Sequence, residues 1–250
     1  LESGEPDFPF SLCWANHSWH NPKTKEIILE QKYFGEEDYI KHFQHLLPAF
    51  KDKRYIKIDN KPIFSIFEAE SIPSVNEFIK QWNELAIQEG FDGIYFIGIA
   101  QTSEEYNKIC RLSLNAINVI RLKDFLQHRS VWQDRIKYTL SNIHNYTYKE
   151  AAKHFISHDD IKENIIPTII PGWDHSPRSG NKALILTDYT PKEFEKHVHD
   201  TLSLVSQKEN KLCFIKAWNE WGEGNHLEPD LKYGLAFLET LKIVKDQYQK

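Results

Sequence analysis

Residues 74–100 read SVNEFIKQWNELAIQEGFDGIYFIGIA, and this stretch decides the fold class. Ser74 followed by Glu77 has the form of a capping box, which predicts a helix start. Phe78, Trp82, Leu85 and Ala86 then recur at helical spacing on one face, with Gly90 just past the expected end. Residues 93–100 follow as an unbroken apolar run of strand length. A strand that is apolar on both faces is buried on both, as in a parallel sheet covered by helices.

The same alternation extends in both directions. Towards the N-terminus, residues 8–15 (FPFSLCWA) read as a buried strand. Glu36, Glu37 and Asp38 suit a helix start, with Tyr39, Phe43, Leu46 and Leu47 as its apolar face and Pro48 near its end. Residues 55–58 and 62–67 flank the turn Asp59-Asn60-Lys61, and the second run is the expected core strand. Towards the C-terminus, residues 115–120 make a weaker strand, and 121–146 are mixed. Thr147 and Glu150 form a second capping-box pattern, for a helix to about residue 157. Residues 165–171 read as a strand despite their prolines. Thr190, Pro191 and Glu193 combine N-cap, first-turn proline and third-position glutamate, opening a helix with Phe194, Val198, Leu202 and Val205 inward. Residues 212–217 are the last strand, and Glu228-Pro229-Asp230 open a last helix carrying Leu231, Leu235, Leu238, Leu241 and Val244.

Six strand–helix units in this order imply an α/β fold. The economical architecture is a (β/α)8 TIM-type barrel lacking its first two β/α units, with residues 1–250 as a single domain. The chain starts at Leu1 and has no Met, so an N-terminally truncated chain is expected. No GxGxxG and no P-loop is present, so the nucleotide-binding readings lack their fingerprint.

Composition narrows the function classes. The net charge is −5, which gives no electrostatic footprint for nucleic acid. No apolar run approaches the ~20 residues of a membrane span. Cys13, Cys110 and Cys213 are too few and too scattered for a disulfide framework or a zinc site, so a reducing compartment, the cytoplasm, is expected. Aromatic residues make up 13% of the chain, a high share; most of it is normally core, and a surplus suits sugar-stacking surface.

The chemistry concentrates at Trp218-Asn219-Glu220-Trp221-Gly222-Glu223-Gly224, directly after the last strand. Strand ends are where α/β enzymes place their active residues. Paired carboxylates between aromatic platforms are what cleavage of a sugar acetal requires. A plain surface turn with solvated glutamates is the competing reading, and the density of tryptophan argues against it. Two other aromatic and polar loops follow strands, at residues 14–19 and 172–178, and in a barrel all three are expected on one face. His154 and His158, and His42 and His45, have spacings that suit metal, yet no HExxH pattern accompanies them; solvated helix faces are the expectation. There is no GxSxG elbow.

The quoted stretches FPFSLCWAN, DNKPIFSIF, PGWDHSPR and AWNEWGEGNHLEPD fall in the order and spacing of the WbsX-type proteins, and the chain resembles that family over nearly its whole length. These are the glycoside hydrolase family 99-like proteins of lipopolysaccharide biosynthesis, often named glycosyltransferases. The resemblance implies a barrel related to family 99 endo-α-mannosidases, with no metal and no organic cofactor. It implies that Glu220 is the base that deprotonates a sugar 2-hydroxyl, which then attacks C1 to give an anhydro-sugar. It implies that Glu223 is the general acid for the leaving oxygen and then the base for water. The implied substrate-binding set is Trp14, Asn16, His17, Trp19, Trp173, Asp174, Arg178, Trp218, Asn219, Trp221, His226 and Glu228. The chain departs from the family where an acidic residue is usual at His17, an Arg- and Trp-rich stretch at residues 20–22, Asn at His175, and a Phe-Pro-Pro pattern within 115–122. Those departures fall in loops that shape substrate subsites.

The expected activity is therefore that of a retaining glycoside hydrolase on an α-mannoside-type glycan of bacterial surface polysaccharide. A polysaccharide-biosynthesis glycosyltransferase is one alternative, against which stands the lack of a DxD motif. A non-catalytic glycan-binding barrel is the other.

Overall fold

The computed structural model describes residues 1–21, 24–128 and 144–248. Pro22 and most of the unassigned 121–146 segment lie outside them. The chain forms two compact units, one of residues 1–100 and 104–117, the other of 101–103 and 118–250.

The first unit carries β1 (Leu12–Trp14), β2 (Trp19–His20), β3 (Ile27–Leu29), β4 (Lys57–Ile58), β5 (Lys61–Ile66), β6 (Tyr95–Ala100) and the start of β7 (Ala116–Val119). β1 pairs parallel with β5, and β5 parallel with β6. Helices Glu36–Lys51 and Val75–Gln88 supply its apolar cover. Trp82 is fully buried, with ring centroids 4.9 Å from Phe64 of β5 and 4.8 Å from Phe78 of its own helix, and its indole N–H donates to the Tyr39 carbonyl at 3.0 Å. The apolar faces expected of both helices are thus the ones buried. β5 and β6 are nearly continuous core, as their composition requires. Asp59 and Asn60 both take positive φ, 47° and 57°, the conformation that a tight β4–β5 hairpin needs.

The second unit carries the end of β7, then β8 (His144–Thr147), β9 (Ile165–Ile169), β10 (Leu184–Thr187), β11 (Phe214–Ile215), β12 (Asn219–Glu220) and β13 (Asn225–His226). β9 and β11 pair parallel, as do β8 and β10, while β12 and β13 form an antiparallel hairpin. Phe194 and Val198 of helix Pro191–Val205 pack with Ile169, Leu227 and Phe237. Thr190 caps that helix by accepting from the Glu193 N–H at 3.3 Å, as its sequence requires.

Several expectations fail for local reasons. The strand expected over residues 8–15 shortens to β1, with Phe8 exposed and Phe10 making an isolated bridge to Tyr55; Pro9 has no N–H to give a ladder. β1 itself is half-exposed rather than buried. Ser74 adopts the left-handed conformation (φ 49°) and its hydroxyl caps nothing, so the capping box that first suggests helix Val75–Gln88 does not form. Pro48 lies inside helix Glu36–Lys51 without ending it. The Thr147 hydroxyl does cap, accepting from Glu150 N–H at 3.2 Å, but the helix spans only Tyr148–Ala152. The last strand shrinks to two residues, with Ile215 exposed. The last helix spans Ala236–Tyr248, starting later than expected. Asp230 accepts from the Lys232 and Tyr233 N–H groups at 2.7 and 2.6 Å, folding residues 230–234 into a turn that leaves Leu231 at 109% exposure.

The histidine readings need correction too. His154 lies beyond its helix and stacks on His128 at 4.6 Å, while His158 starts a separate 3-10 turn, so the two share no helix face. His42 is not on a solvated face: it meets Trp14 and Trp82 edge-on at 4.8 and 5.1 Å, and burial pushes its imidazole pKa down. No group of three His, Cys, Asp or Glu side chains that could hold a metal occurs among the described residues. Cys13, Cys110 and Cys213 are unpaired. No helix among the described residues is long and apolar enough to cross a membrane.

Candidate active site

Within the second unit the 172–178 and 218–228 loops lock together. Asp174 N–H donates to the Glu223 carbonyl at 2.8 Å, and the Asp174 carboxylate accepts from Ser176 N–H at 2.9 Å. Fully buried Asn225 donates to the carbonyls of Pro171 and Gly172 at 3.0 and 2.9 Å. Gly224 closes the turn after Glu223 with φ +54°; a Cβ there would lie 2.8 Å from Asp174 Cβ and 2.9 Å from its backbone N. Only glycine meets both demands, a left-handed backbone and so close an approach.

This frame presents the two glutamates as a pair. Arg178 bridges them: Nη2 donates to Glu220 Oε1 at 3.0 Å and Nη1 to Glu223 Oε1 at 3.1 Å. The environments differ, since the Glu223 side chain is 15% exposed and Glu220 37%. Gly222 stands between them with no side chain, and a Cβ there would come within 3.2 Å of both Arg178 Nε and Glu220 Oε1. His175 Nε2 approaches Glu223 Oε1 at 3.7 Å, and its Nδ1 is 2.8 Å from the Ser179 hydroxyl. Two acceptor oxygens thus share one cation in a cluster that solvent reaches on the Glu220 side.

The aromatic residues divide into walls and supports. Trp218 and Trp221 are exposed. Trp221 stacks on His226 at 3.6 Å, and its indole N–H donates to Glu228 at 2.6 Å, so Glu228 orients the ring. Burial lowers the His226 pKa, and Asp230 and Glu228 oppose the shift. Trp218 anchors the loop through its backbone, whose carbonyl accepts from Leu227 and Glu228 N–H at 2.8 and 3.1 Å. Trp173 is buried, stacks on His175 at 5.8 Å, and leaves its indole N–H without a partner. Asn219 pairs in the β12–β13 hairpin opposite His226.

The remaining predicted residues belong to the first unit. Trp14 packs against Tyr33, His42 and Phe78, a supporting position in the core. Asn16 is buried, donates to the Tyr33 hydroxyl at 2.9 Å and the Glu68 carbonyl at 2.7 Å, and accepts from Glu68 N–H at 2.8 Å. His17 lies 5.3 Å from Phe67, with its buried Nδ1 unpartnered. Trp19 is exposed on β2. A cleft of about 500 Å³ in the same unit, lined by Tyr33, Tyr39, Phe78, Glu36 and Glu77 among others, includes none of the predicted residues.

The structure adds four residues that the predicted set lacks. His175 and Ser179 form an i, i+4 pair on the turn Ser176–Ser179, a spacing that was readable. Asn225 fastens the two loops, and Lys216 sits with Nζ 5.3 Å from the Trp173 ring centre. Neither contact has a local sequence signal.

A family model described as "Glycosyltransferase WbsX" matches residues 1–241. Two uncharacterized proteins named WxcX, from two strains of Xanthomonas campestris pv. campestris, are each 22% identical over 94% of the chain. The chain spans about a third of their length, 34% of each. Among solved structures, a glycoside hydrolase-like protein matches with TM-score 0.54 at 17% identity, covering 85% of this chain and 62% of that one. A GH99 endo-α-mannosidase from Bacteroides thetaiotaomicron, in complex with bis-tris-propane, matches with TM-score 0.52 at 15% identity, covering 87% of this chain and 67% of that one. These likenesses are of fold.

Proposed function

Because the chain belongs to the WbsX glycosyltransferase family and is GH99-like in fold, we propose that it is part of a carbohydrate-active enzyme, a retaining glycoside hydrolase on an α-mannoside-type glycan. The polysaccharide is of the bacterial surface kind, and residues 1–250 contribute one TIM-type barrel domain. The observation that carries this reading is the Glu220–Glu223 pair on one short hairpin, held by a single arginine beside two exposed tryptophans.

In this reading Glu220, the more exposed carboxylate, takes the proton of the sugar 2-hydroxyl as that oxygen bonds to C1. Glu223 gives its proton to the departing glycosidic oxygen, leaving an anhydro-sugar. Water then attacks C1 and loses its proton to Glu223, while Glu220 returns its proton to the 2-oxygen. Two inversions at C1 retain configuration, and each carboxylate ends as it began. Trp218 and Trp221 offer flat faces to the sugar ring; Arg178, Asp174, Asn219, His226 and Glu228 read or frame its hydroxyls. On the first unit, His17 and Trp19 are proposed to bind glycan, with Trp14 and the buried Asn16 in a supporting role. The cytoplasmic placement belongs to the same proposal and rests on three unpaired thiols.

The family's name favours a second reading, transfer from a nucleotide sugar. Thermal unfolding with and without a panel of nucleotide sugars separates the two. The hydrolase reading predicts no shift with any of them, and a saturable rise in melting temperature with one would replace it by the transferase reading.

A further inference from the structure

Asn16 stands in the predicted binding set, yet its amide has no proton left to offer a sugar. Its Nδ2 donates to the Tyr33 hydroxyl at 2.9 Å and to the Glu68 carbonyl at 2.7 Å, and its Oδ1 accepts from the Glu68 N–H at 2.8 Å. Asn16 is 1% exposed and follows the end of β1, while Glu68 follows the end of β5. Phe67 N–H donates to the Trp14 carbonyl at 3.0 Å, so the Asn16 amide carries the β1–β5 ladder onward to Glu68.

What this fastening holds in place is an exposed acid. The Glu68 side chain points to solvent, and the Ser71 hydroxyl donates to its Oε2 at 3.1 Å, which orients the carboxylate. Its Oε1 has no partner, and the carboxylate makes no ion pair, among the described residues. Glu70, on the same turn, is equally exposed but pairs with Arg111 at 3.3 Å. Fixing Glu68 in advance at both backbone and carboxylate lowers the entropy lost when a ligand orders it. The C-terminal ends of parallel strands are also where α/β folds present ligand-contacting side chains. His17, beside Asn16, keeps a buried Nδ1 without a partner, so the polar atoms of this strand end do not satisfy one another.

We infer that Glu68 is a specificity residue for the glycan: its carboxylate accepts hydrogen bonds from two adjacent hydroxyls of one sugar ring, and Asn16, Tyr33 and Ser71 hold it in position. An ionised carboxylate is an acceptor only, with about four lone-pair sites, so the Ser71 bond leaves room for two hydroxyls. Each hydroxyl gains a charge-assisted bond, whereas an acidic sugar brings a like charge to the same place. The contact therefore selects a neutral sugar. The inference rests on the proposed function for the identity of the ligand as a glycan, and it concerns affinity, not bond cleavage.

Isothermal titration of the chain with an α-linked mannotriose tests this, beside Glu68→Ala, Glu68→Gln and Glu70→Ala, with circular dichroism reporting that each variant is folded. Glu68→Ala should bind about tenfold or more weakly, the size of a charge-assisted hydrogen bond. Glu68→Gln, which keeps one carbonyl acceptor, should recover part of that loss, and Glu70→Ala should stay within about twofold of the parent. In the parent, the Glu68 backbone N–H and the Asn16 side-chain amide signals should shift in nitrogen–proton NMR spectra as the sugar is added, which a purely structural role for Glu68 would not produce. Affinity in Glu68→Ala within twofold of the parent overturns the inference, as does an equal loss in Glu70→Ala, which would mean a general charge effect. Retained-configuration hydrolysis of an aryl α-mannoside alongside either result leaves the proposed function standing. Absence of mannotriose binding to the parent also overturns the inference, and the aryl mannoside assay then decides the proposed function by itself.

Discussion

Replacing Gly224 by alanine attacks the point where the 172–178 and 218–228 loops meet. The residue has φ +54° and ψ 28°, a left-handed backbone that costs an L-residue with a Cβ about 1–2 kcal/mol. The new methyl would also lie 2.8 Å from Asp174 Cβ and 2.9 Å from Asp174 N. These atoms belong to the backbone and its first carbon, so no rotamer change relieves the overlap. Relief requires the 172–178 loop to move, and the Asp174 N–H bond to the Glu223 carbonyl, 2.8 Å long, stretches with it at a further cost of about 0.5–1.5 kcal/mol. The sum is about 1.5–3.5 kcal/mol. Gly234 supplies the control: its φ is +55° and nothing lies within 4 Å of its Cβ position, so Gly234→Ala should cost only the backbone term of about 1–2 kcal/mol. Urea unfolding of both variants beside the parent, with midpoints read at constant slope, measures the difference. Equal destabilisation of the two variants would refute the claim that close approach, beyond backbone conformation, fixes glycine at position 224.

Other perturbations have outcomes of similar clarity. Asn225→Leu removes both donors from the carbonyls of Pro171 and Gly172 and should lower stability by about 2–4 kcal/mol in the same urea assay; a loss under 0.5 kcal/mol would mean the loops hold without it. Arg121 is buried between Asp160, at 2.5 Å, and Asp124, and it also contacts Ser103, so Arg121→Met leaves the fully buried Asp160 uncompensated and should cost about 3–5 kcal/mol. Burial brings the His197 pKa down to about 4, and its Nε2 accepts from Ile170 N–H at 3.0 Å. The unfolded imidazole protonates below about 6.5, so between there and pH 4 the unfolded chain binds more protons. Stability should therefore be whole above about pH 6.5 and fall by up to ~1.4 kcal/mol per unit as pH drops towards 4. His42, His154 and His226, also lowered, add in the same sense. His197→Asn should flatten that slope in urea titrations at pH 7, 5.5 and 4.5, and an unchanged slope would assign the effect elsewhere.

How far the chain could be read depended on whether the decisive contact was local. Phe78 and Trp82 declare their helix face by spacing alone, and the 95–100 strand declares its burial by having no polar residue, so both are found where expected. Thr190 caps because its partner N–H is three residues away. Ser74 shows the limit: its pattern matches a cap, yet its left-handed backbone turns the hydroxyl away and the helix forms regardless, on the packing of Phe78 and Trp82. Leu231 and Leu235 continue the helical spacing of the last helix, but the Asp230 carboxylate satisfies the backbone of residues 232 and 233 in a turn, which hydrophobic periodicity does not register. At the site, Glu220 and Glu223 are legible as a pair because they share one turn. Their bond to Arg178, more than forty residues away in sequence, is a tertiary fact, as are the fastening by Asn225 and the placement of Lys216 over Trp173.

The most direct test of the proposed chemistry is proton NMR of hydrolysis of an aryl α-mannoside with a good leaving group, run beside Glu220→Gln and Glu223→Gln. The account predicts that the α-anomer appears first and then mutarotates, and that both variants lose turnover. The aryl leaving group needs little protonation, so Glu223→Gln should keep more of the first step than Glu220→Gln. First appearance of the β-anomer, or turnover surviving in Glu220→Gln, would contradict a retaining mechanism carried by this pair.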